Sequence, residues 1–169
     1  ERSETVNVRT RQTISEIAVL DNGTGMPPQT LIEALKFGGG TRHSATRRGI
    51  GKYGMGLPTS SISQCRRLDV WTWQEDIEQP WHGYIDADEI EAGNDQVPMP
   101  DQQTPVPISW RNAALPETVD NSHGTLVVWT KLDKIQWRIS GALINSAATE
   151  VGRIHRHSIN EGRVTIRMA

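Results

Sequence analysis

The sequence predicts an α/β domain, and three observations support that class. Several runs alternate polar residues with β-prone apolar residues, which is typical of strands. Other segments carry apolar residues three and four positions apart, which is typical of amphipathic helices. The length of 169 residues fits one domain with a buried core and is short for two. We therefore expect residues 1–169 to form a single domain of mixed strands and helices.

The first half of the chain predicts a hairpin followed by two helices. The predicted elements are strands at residues 5–10 and 13–20, a helix opened by Pro27-Pro28 and ended by the glycines at 38–40, and a helix over residues 59–65. Between the helices, residues 38–50 hold almost no apolar side chain. We expect this segment to be either a disordered loop or a lid that orders over a ligand.

The second half predicts a strand pair, a long loop and a helix between strands. The predicted elements are strands at residues 68–73 and 81–86, a surface loop over about 88–122, a strand at 123–130, a helix at 135–159 and a strand at 163–167. Trp71 and Trp73 are expected to share one strand face, and both are expected to pack in a core or an interface rather than to stack on bases. The part of the loop at 88–107 is acidic and contains proline, but its acids lack the spacing of metal ligands, so we expect no metal site there.

Charge is uneven along the chain although the formal net charge is only −2. A near-neutral domain is not expected to bind nucleic acid strongly or to adhere to an anionic membrane. Every charged side chain from Lys36 to Arg67 is basic, and every one from Asp69 to Asp101 is acidic. The basic, glycine-rich segment fits either a polyanionic ligand such as a triphosphate or a solvated loop.

Cysteine usage and hydropathy bear on the compartment. Cys65 is the single cysteine, which excludes an internal disulfide and a metal site built from cysteines. The sequence contains no apolar run of the roughly 20 residues that cross a bilayer and no signal-peptide core at its start. We expect an intracellular, cytoplasmic protein without a membrane partner.

A first candidate site is the hexapeptide from Asp21 to Met26, Asp-Asn-Gly-Thr-Gly-Met, directly after an apolar run. A strand that ends in an acid and breaks into glycines places a carboxylate beside backbone that a ligand can approach closely. An ionised aspartate only accepts hydrogen bonds, so it suits a ligand with an exocyclic amine such as adenine. The alternative is a simple β-turn, because Asp, Asn and Gly are common turn residues.

A second candidate site is the glycine-rich segment from Gly49 to Pro58. Successive glycine amides that lead into a helix favour an anion, and Lys52 adds a positive charge. The segment contains G-x-G-x-x-G, but no strand precedes it, and the chain lacks the V-A-I-K and H-R-D motifs of protein kinases. A Walker A loop needs Ser or Thr after the lysine, where this chain has Tyr53.

These motifs, together with Gly124-Thr125, resemble in order and spacing the boxes of the GHKL ATPases, which include gyrases, heat-shock chaperones, histidine kinases and MutL proteins. The hexapeptide and the G-x-x-G-x-G-L segment from Gly51 resemble most the MutL, chaperone and microrchidia branch. The resemblance implies a Bergerat-type two-layer sandwich, a mixed and mostly antiparallel sheet covered on one face by helices. It also implies binding of ATP and ADP with Mg²⁺.

The resemblance further implies a role for each motif. Asp21 would accept a hydrogen bond from the adenine amine, Gly25 would let the base lie against the backbone, and Thr125 would support Asp21, commonly through a water. The phosphates would be wrapped by the second motif. The residues implied in nucleotide binding are Asp21, Asn22, Gly23, Gly25, Met26, Gly51, Lys52, Tyr53, Gly54, Met55, Gly56, Leu57 and Thr125.

Catalysis depends on a helix that the family carries before the first hairpin. Its glutamate positions the attacking water and its asparagine binds magnesium, and the 169 residues open with the hairpin. Two functions therefore stay possible for a domain of this family, beside the weaker alternative of an unrelated α/β enzyme whose glycine motifs are accidental. One is an ATPase that couples slow hydrolysis to lid closure and homodimerisation. The other is a module that keeps the fold and binds nucleotide or a partner protein without hydrolysis.

Overall fold

A computed structural model of the chain describes residues 13–38, 55–94, 96–113 and 120–169. Its contacts divide the chain into two compact units, residues 15–134 and residues 1–14 with 135–169. The elements are β1 (Ile17–Asp21), α1 (Pro28–Leu35), α2 (Gly56–Ile62), β2 (Cys65–Trp73), β3 (Trp81–Asp86), α3 (Ala87–Glu91), α4 (Ile108–Ala113), β4 (Gly124–Leu132) and α5 (Ser140–Asn160).

A four-stranded sheet organises the larger unit, with the strand order β1-β4-β2-β3. Each of its three strand pairs is antiparallel. The predicted pairing of residues 68–73 with 81–86 is confirmed, since Arg67–Thr72 pairs with Trp81–Asp86. The α/β class with a mostly antiparallel sheet is therefore confirmed.

One face of the sheet packs against helices α1 and α2. The apolar cluster on this face, called the helix-face cluster, consists of Leu31, Leu35, Leu68, Val70 and Ile85, with Leu57, Ile62 and Trp129 packed against it. Helix α1 begins at Pro28, as predicted. A proline is tolerated at the first position of a helix, because the N–H that it lacks would have no partner within the helix there. Gly83 lets this helix approach the sheet, since a Cβ there would lie 2.8 Å from Cδ1 of Leu35.

The opposite face carries a second apolar cluster built on the two tryptophans of β2. Trp71 and Trp73 pack with Ile77, Val106, Leu126 and Val128, with Trp110 of α4 beside them. Trp71 donates a hydrogen bond from Nε1 to the carbonyl oxygen of Thr104 at 3.2 Å. The prediction that both tryptophans share a packed face is confirmed.

The structure differs from the loop predicted over residues 88–122. Helices α3 and α4 lie within or beside that range, and the side chain of Asp86 caps α3 by accepting the N–H of Asp88. Val97 packs on the sheet face that α1 and α2 cover, and Val106 packs on the opposite face. Between these two residues, Asp101 forms a backbone bridge to His82 on the outer strand β3. This segment thus wraps the β3 edge, which covers backbone groups that an edge strand would leave unpaired.

Arg67 of the basic segment meets carboxylates of the acidic segment across β2 and β3, and Lys131 of β4 joins them. Arg67 bonds to Asp69 at 2.8 Å and to Asp86 at 3.2 Å, and Lys131 bonds to Asp86 at 2.9 Å. Burial alone would raise the pKa of Asp69, but hydrogen bonds from His82 and Arg67 hold it below its ordinary value. The uneven charge of the sequence is therefore in part an internal ion-pair network.

The smaller unit contains the long helix α5, Ser140–Asn160, in place of the helix predicted over 135–159. Arg153 pairs with Glu150 one turn earlier along it, a geometry that supports an exposed helix. The strand predicted at residues 163–167 is wrong, because residues 163–169 form neither helix nor strand. The strand predicted at 5–10 lies outside the described residues.

Candidate functional site

The carboxylate predicted to bind adenine stands at the end of β1, the outer strand of the sheet that the described residues form. Asp21 is the last residue of β1 and is exposed. Its Oδ1 accepts the N–H of Gly23 at 2.8 Å, which closes a turn within the hexapeptide. Among the described residues, none donates to its Oδ2. Within the described part of the chain, the carboxylate is therefore fixed through one oxygen, and its other oxygen can accept a ligand hydrogen bond.

Strand register places three polar side chains in a row across the sheet. Asp21 of β1 lies opposite Thr125 of β4, and Thr125 lies opposite Thr72 of β2. Residues directly opposite in antiparallel strands point to the same face, so these three side chains are neighbours. Thr125 and Thr72 are nearly fully buried, and their hydroxyl oxygens are 3.3 Å apart. The register thus places Thr125 beside Asp21, with Thr72 next in the row.

Gly25 is held against the end of β2. Its φ is +66°, and an added Cβ would lie 2.0 Å from the carbonyl oxygen of Trp73. Only glycine meets both conditions without strain or displacement of the backbone. The loop after Asp21 is therefore anchored to the sheet at this residue.

The next residue of the hexapeptide is tied to the same row of side chains. The N–H of Met26 donates to Oγ1 of Thr72 at 2.8 Å, and that hydroxyl lies 3.2 Å from the carbonyl oxygen of Gly124. One buried hydroxyl thus joins the loop after β1 to the start of β4. The side chain of Met26 packs against the helix-face cluster.

Gly124 lets β1, β2 and β4 meet closely behind Asp21. A Cβ at Gly124 would lie 2.7 Å from the carbonyl oxygen of Asp21 and 2.6 Å from Cζ2 of Trp73. His123, one residue earlier, has Nδ1 3.0 Å from the carbonyl oxygen of Gly23. The Gly124-Thr125 pair predicted from sequence therefore contacts the hexapeptide directly.

The second predicted motif is described only at its end. Gly51, Lys52, Tyr53 and Gly54 lie outside the described residues, as do residues 39–50 of the predicted lid. Met55 is half exposed and immediately precedes α2, which begins at Gly56. Leu57 packs against the helix-face cluster, so its side chain contributes to the core of the domain.

The described residues contain no group of three or more His, Cys, Asp or Glu side chains that could hold a metal ion. A magnesium ion bound with a nucleotide needs oxygen ligands, usually one or two carboxylates or amides together with the phosphates. Asp21 and Asn22 are the carboxylate and amide side chains of the hexapeptide, and Oδ1 of Asp21 already accepts the N–H of Gly23. The described residues therefore supply no cluster of side chains that would hold a magnesium ion by itself.

Two other features do not compete with this site. A cleft lined by Leu35, Phe37, Tyr84 and Ile90 includes the acids Asp86 and Glu89, but these already bond to Lys131 and Tyr84. Cys65 is buried, and burial raises the pKa of its thiol to about 11, so it is protonated at neutral pH and a poor nucleophile.

The geometry defines an α/β domain with an exposed carboxylate at the end of strand β1. Comparison with known families agrees with it. The model of the histidine kinase-, DNA gyrase B- and HSP90-like ATPase family matches residues 2–125, which is more than half of the chain. The chain belongs to this family of ATP-binding domains, as the resemblance of the sequence implies. No curated protein matches it significantly.

Sequence reasoning did not identify Thr72 and His123 as parts of the site. Thr72 stands between two tryptophans in a strand, where a threonine is ordinary. Its proximity to Asp21 depends on the register of three strands, which no local pattern reveals. His123 directly precedes the predicted Gly124-Thr125 pair, and that adjacency is the one sequence signal that points to it.

In the described part of the chain, no helix is long and apolar enough to cross a membrane.

Proposed function

We propose that this domain binds ATP with the adenine amine on Asp21 and couples binding and slow hydrolysis to lid closure and homodimerisation. The observation that carries the proposal is Oδ2 of Asp21, which stands at the sheet end beside Thr125 and accepts no hydrogen bond from the described residues. A carboxylate in that position discriminates for a ligand N–H and against a ligand carbonyl. Gly25, pressed against Trp73, leaves backbone without a side chain next to it.

The phosphate end of the ligand would lie on the second glycine motif. Gly51, Lys52, Tyr53 and Gly54 would supply amide N–H groups and one positive charge, and residues 38–50 would close as a lid. The hexapeptide and the G-x-x-G-x-G-L segment support placement in the MutL, chaperone and microrchidia branch. Hydrolysis would proceed by attack of water on the γ-phosphate with Mg²⁺. For the location of the domain, we propose the cytoplasm.

Calorimetric titration with ADP and with a non-hydrolysable ATP analogue, each with and without magnesium, tests this function. The wild-type protein is expected to bind both, and Asp21→Asn is expected to weaken binding at least tenfold, because a charged acceptor is lost and a donor faces the amine. Asp21→Asn is expected to leave the fold unchanged, and circular dichroism would show this.

Asp133→Asn is a matched control for that substitution. Asp133 is exposed and directly follows β4, at the opposite end of that strand from Thr125. The Asp133→Asn substitution removes the same charge roughly 25 Å from the site, a distance that follows from the rise per residue along a strand. Equal weakening by both variants, or unchanged affinity in a folded Asp21→Asn protein, would reject the adenine assignment.

A further inference from the structure

The turn that carries Asp21 is tied to the loop before β4 by the side chain of His123. Nδ1 of His123 lies 3.0 Å from the carbonyl oxygen of Gly23. Because a carbonyl only accepts, Nδ1 carries the proton and donates. The N–H of Gly23 in turn donates to Oδ1 of Asp21 at 2.8 Å. Gly23 is thus held through its carbonyl by His123 and through its N–H by the carboxylate.

The imidazole projects from a turn that is itself braced. Oδ1 of Asp120 accepts the hydroxyl of Ser122 at 2.6 Å and its N–H at 2.8 Å, and these bonds lower the pKa of Asp120. Oδ2 of Asp120 lies 3.4 Å from Nε2 of His123. The backbone carbonyl of Asp120 accepts Nε1 of the buried Trp73 at 2.9 Å. The turn that carries His123 is therefore anchored to the core of the sheet through Trp73.

We propose that His123 is a positioning residue for nucleotide recognition, whose Nδ1–H fixes the turn at Gly23 and thereby orients the Asp21 carboxylate toward the base. This inference rests on the proposed function, since it assigns a task within the same site. A carboxylate that is already oriented loses less rotational freedom when a ligand binds, so the affinity is higher. His123 touches the loop and not the reacting atoms, so it is not a catalytic residue.

Three substitutions of His123 separate the effect of the hydrogen-bond donor from the effect of the size of the ring. In His123→Asn the amide nitrogen is bonded to Cγ, as Nδ1 is, so the donor to Gly23 is kept. In His123→Gln the amide nitrogen lies one bond further out, and in His123→Ala it is absent. The affinity for ADP, measured by calorimetry on the full chain, is expected to stay within about twofold for the asparagine variant. It is expected to fall about three- to tenfold for the other two, the size of one neutral hydrogen bond.

Hydrogen exchange of the Gly23 amide, followed by NMR without nucleotide, tests whether His123 fixes the turn independently of binding, because that N–H donates to the Asp21 carboxylate. Protection is expected to fall in the glutamine and alanine variants and to be kept in the asparagine variant. If the wild-type protein binds no ADP, the proposed function fails and this role fails with it. If the wild-type protein binds ADP but the glutamine and asparagine variants bind and exchange alike, the positioning role alone is overturned. Should the alanine variant not fold, the glutamine and asparagine pair still decides.

Discussion

Gly25 combines two constraints that a substitution can separate at the scale of one residue. Its φ is +66°, and a Cβ would lie 2.0 Å from the carbonyl oxygen of Trp73. Gly25→Ala is therefore expected to lower the free energy of unfolding by about 2 kcal/mol or more, since positive φ alone costs roughly 1 kcal/mol and the backbone contact adds to it. Urea denaturation measures the loss, and ADP titration is expected to show weakened binding.

Gly162→Ala is the matched control for the backbone conformation. Its φ is +67°, and among the described residues a Cβ there would meet no heavy atom within 4 Å. This variant is expected to lose only about 1 kcal/mol. Equal destabilisation by the two alanine variants would contradict the close approach of Gly25 to β2.

At the scale of the elements, the hydroxyl of Thr72 joins three segments of chain. It accepts the N–H of Met26 at 2.8 Å and lies within hydrogen-bond distance of Gly124 and Thr125 on β4. Thr72→Val keeps the shape of the side chain but leaves a partly buried N–H without its partner. We expect a loss of about 1 to 3 kcal/mol in unfolding free energy and weaker binding of ADP.

Thr72→Ser keeps the hydroxyl and removes one methyl group, so it serves as the control. It is expected to retain nucleotide affinity, while its stability falls by about 1 kcal/mol for the lost methyl group. Thermal unfolding and ADP titration of both variants give the comparison. A serine variant that loses affinity as the valine variant does would show that the hydroxyl is not what matters.

The ion-pair network links β2, β3 and β4, so its effect belongs to the whole molecule. Asp69 is nearly buried and bonds to His82 at 2.9 Å and to Arg67 at 2.8 Å. Since these bonds lower its pKa, the ionised carboxylate stabilises the fold above its ordinary pKa of 3.8. That contribution is lost as the pH falls through the lowered value.

Asp69→Asn is therefore expected to cost roughly 2 kcal/mol at neutral pH, the size of hydrogen bonds to a charged group. The difference from wild type is expected to shrink below about pH 4. Urea denaturation at a series of pH values measures it. Asp76→Asn is the control, because Asp76 is exposed and its carboxylate accepts the Glu78 N–H. A difference for Asp69→Asn that stays constant down to about pH 2 would contradict the account.

Local patterns predicted those features whose causes are local. Pro28 sets the start of α1, and the alternation in β2 and β3 follows from the faces they bury. The contacts of Val106 and Trp110 were not predictable, because they depend on a segment that crosses the β3 edge and returns over the far face of the sheet. The alternating run Arg-Val-Thr-Ile-Arg at residues 163–167 satisfies a strand pattern, but a strand forms only where another strand pairs with it, and a local pattern does not reveal that.

The same division holds for the candidate site. The hexapeptide carries its own turn chemistry, so Asp21 could be identified from the sequence alone. Thr72 could not, because only the register of β1, β4 and β2 brings it to Asp21. Between these cases lies His123, which is adjacent to a predicted motif but acquires its role through contact with Gly23.

The most direct test of the account is a comparison of ADP with inosine diphosphate, measured by calorimetry on the wild-type protein and on Asp21→Asn. Inosine carries a carbonyl oxygen where adenine carries the amine, so it faces the Asp21 carboxylate with an acceptor. Wild type is expected to prefer ADP by about tenfold or more, and Asp21→Asn to lose or reverse that preference, because its amide can donate. Equal binding of both nucleotides by the wild-type protein would contradict recognition of the base by Asp21.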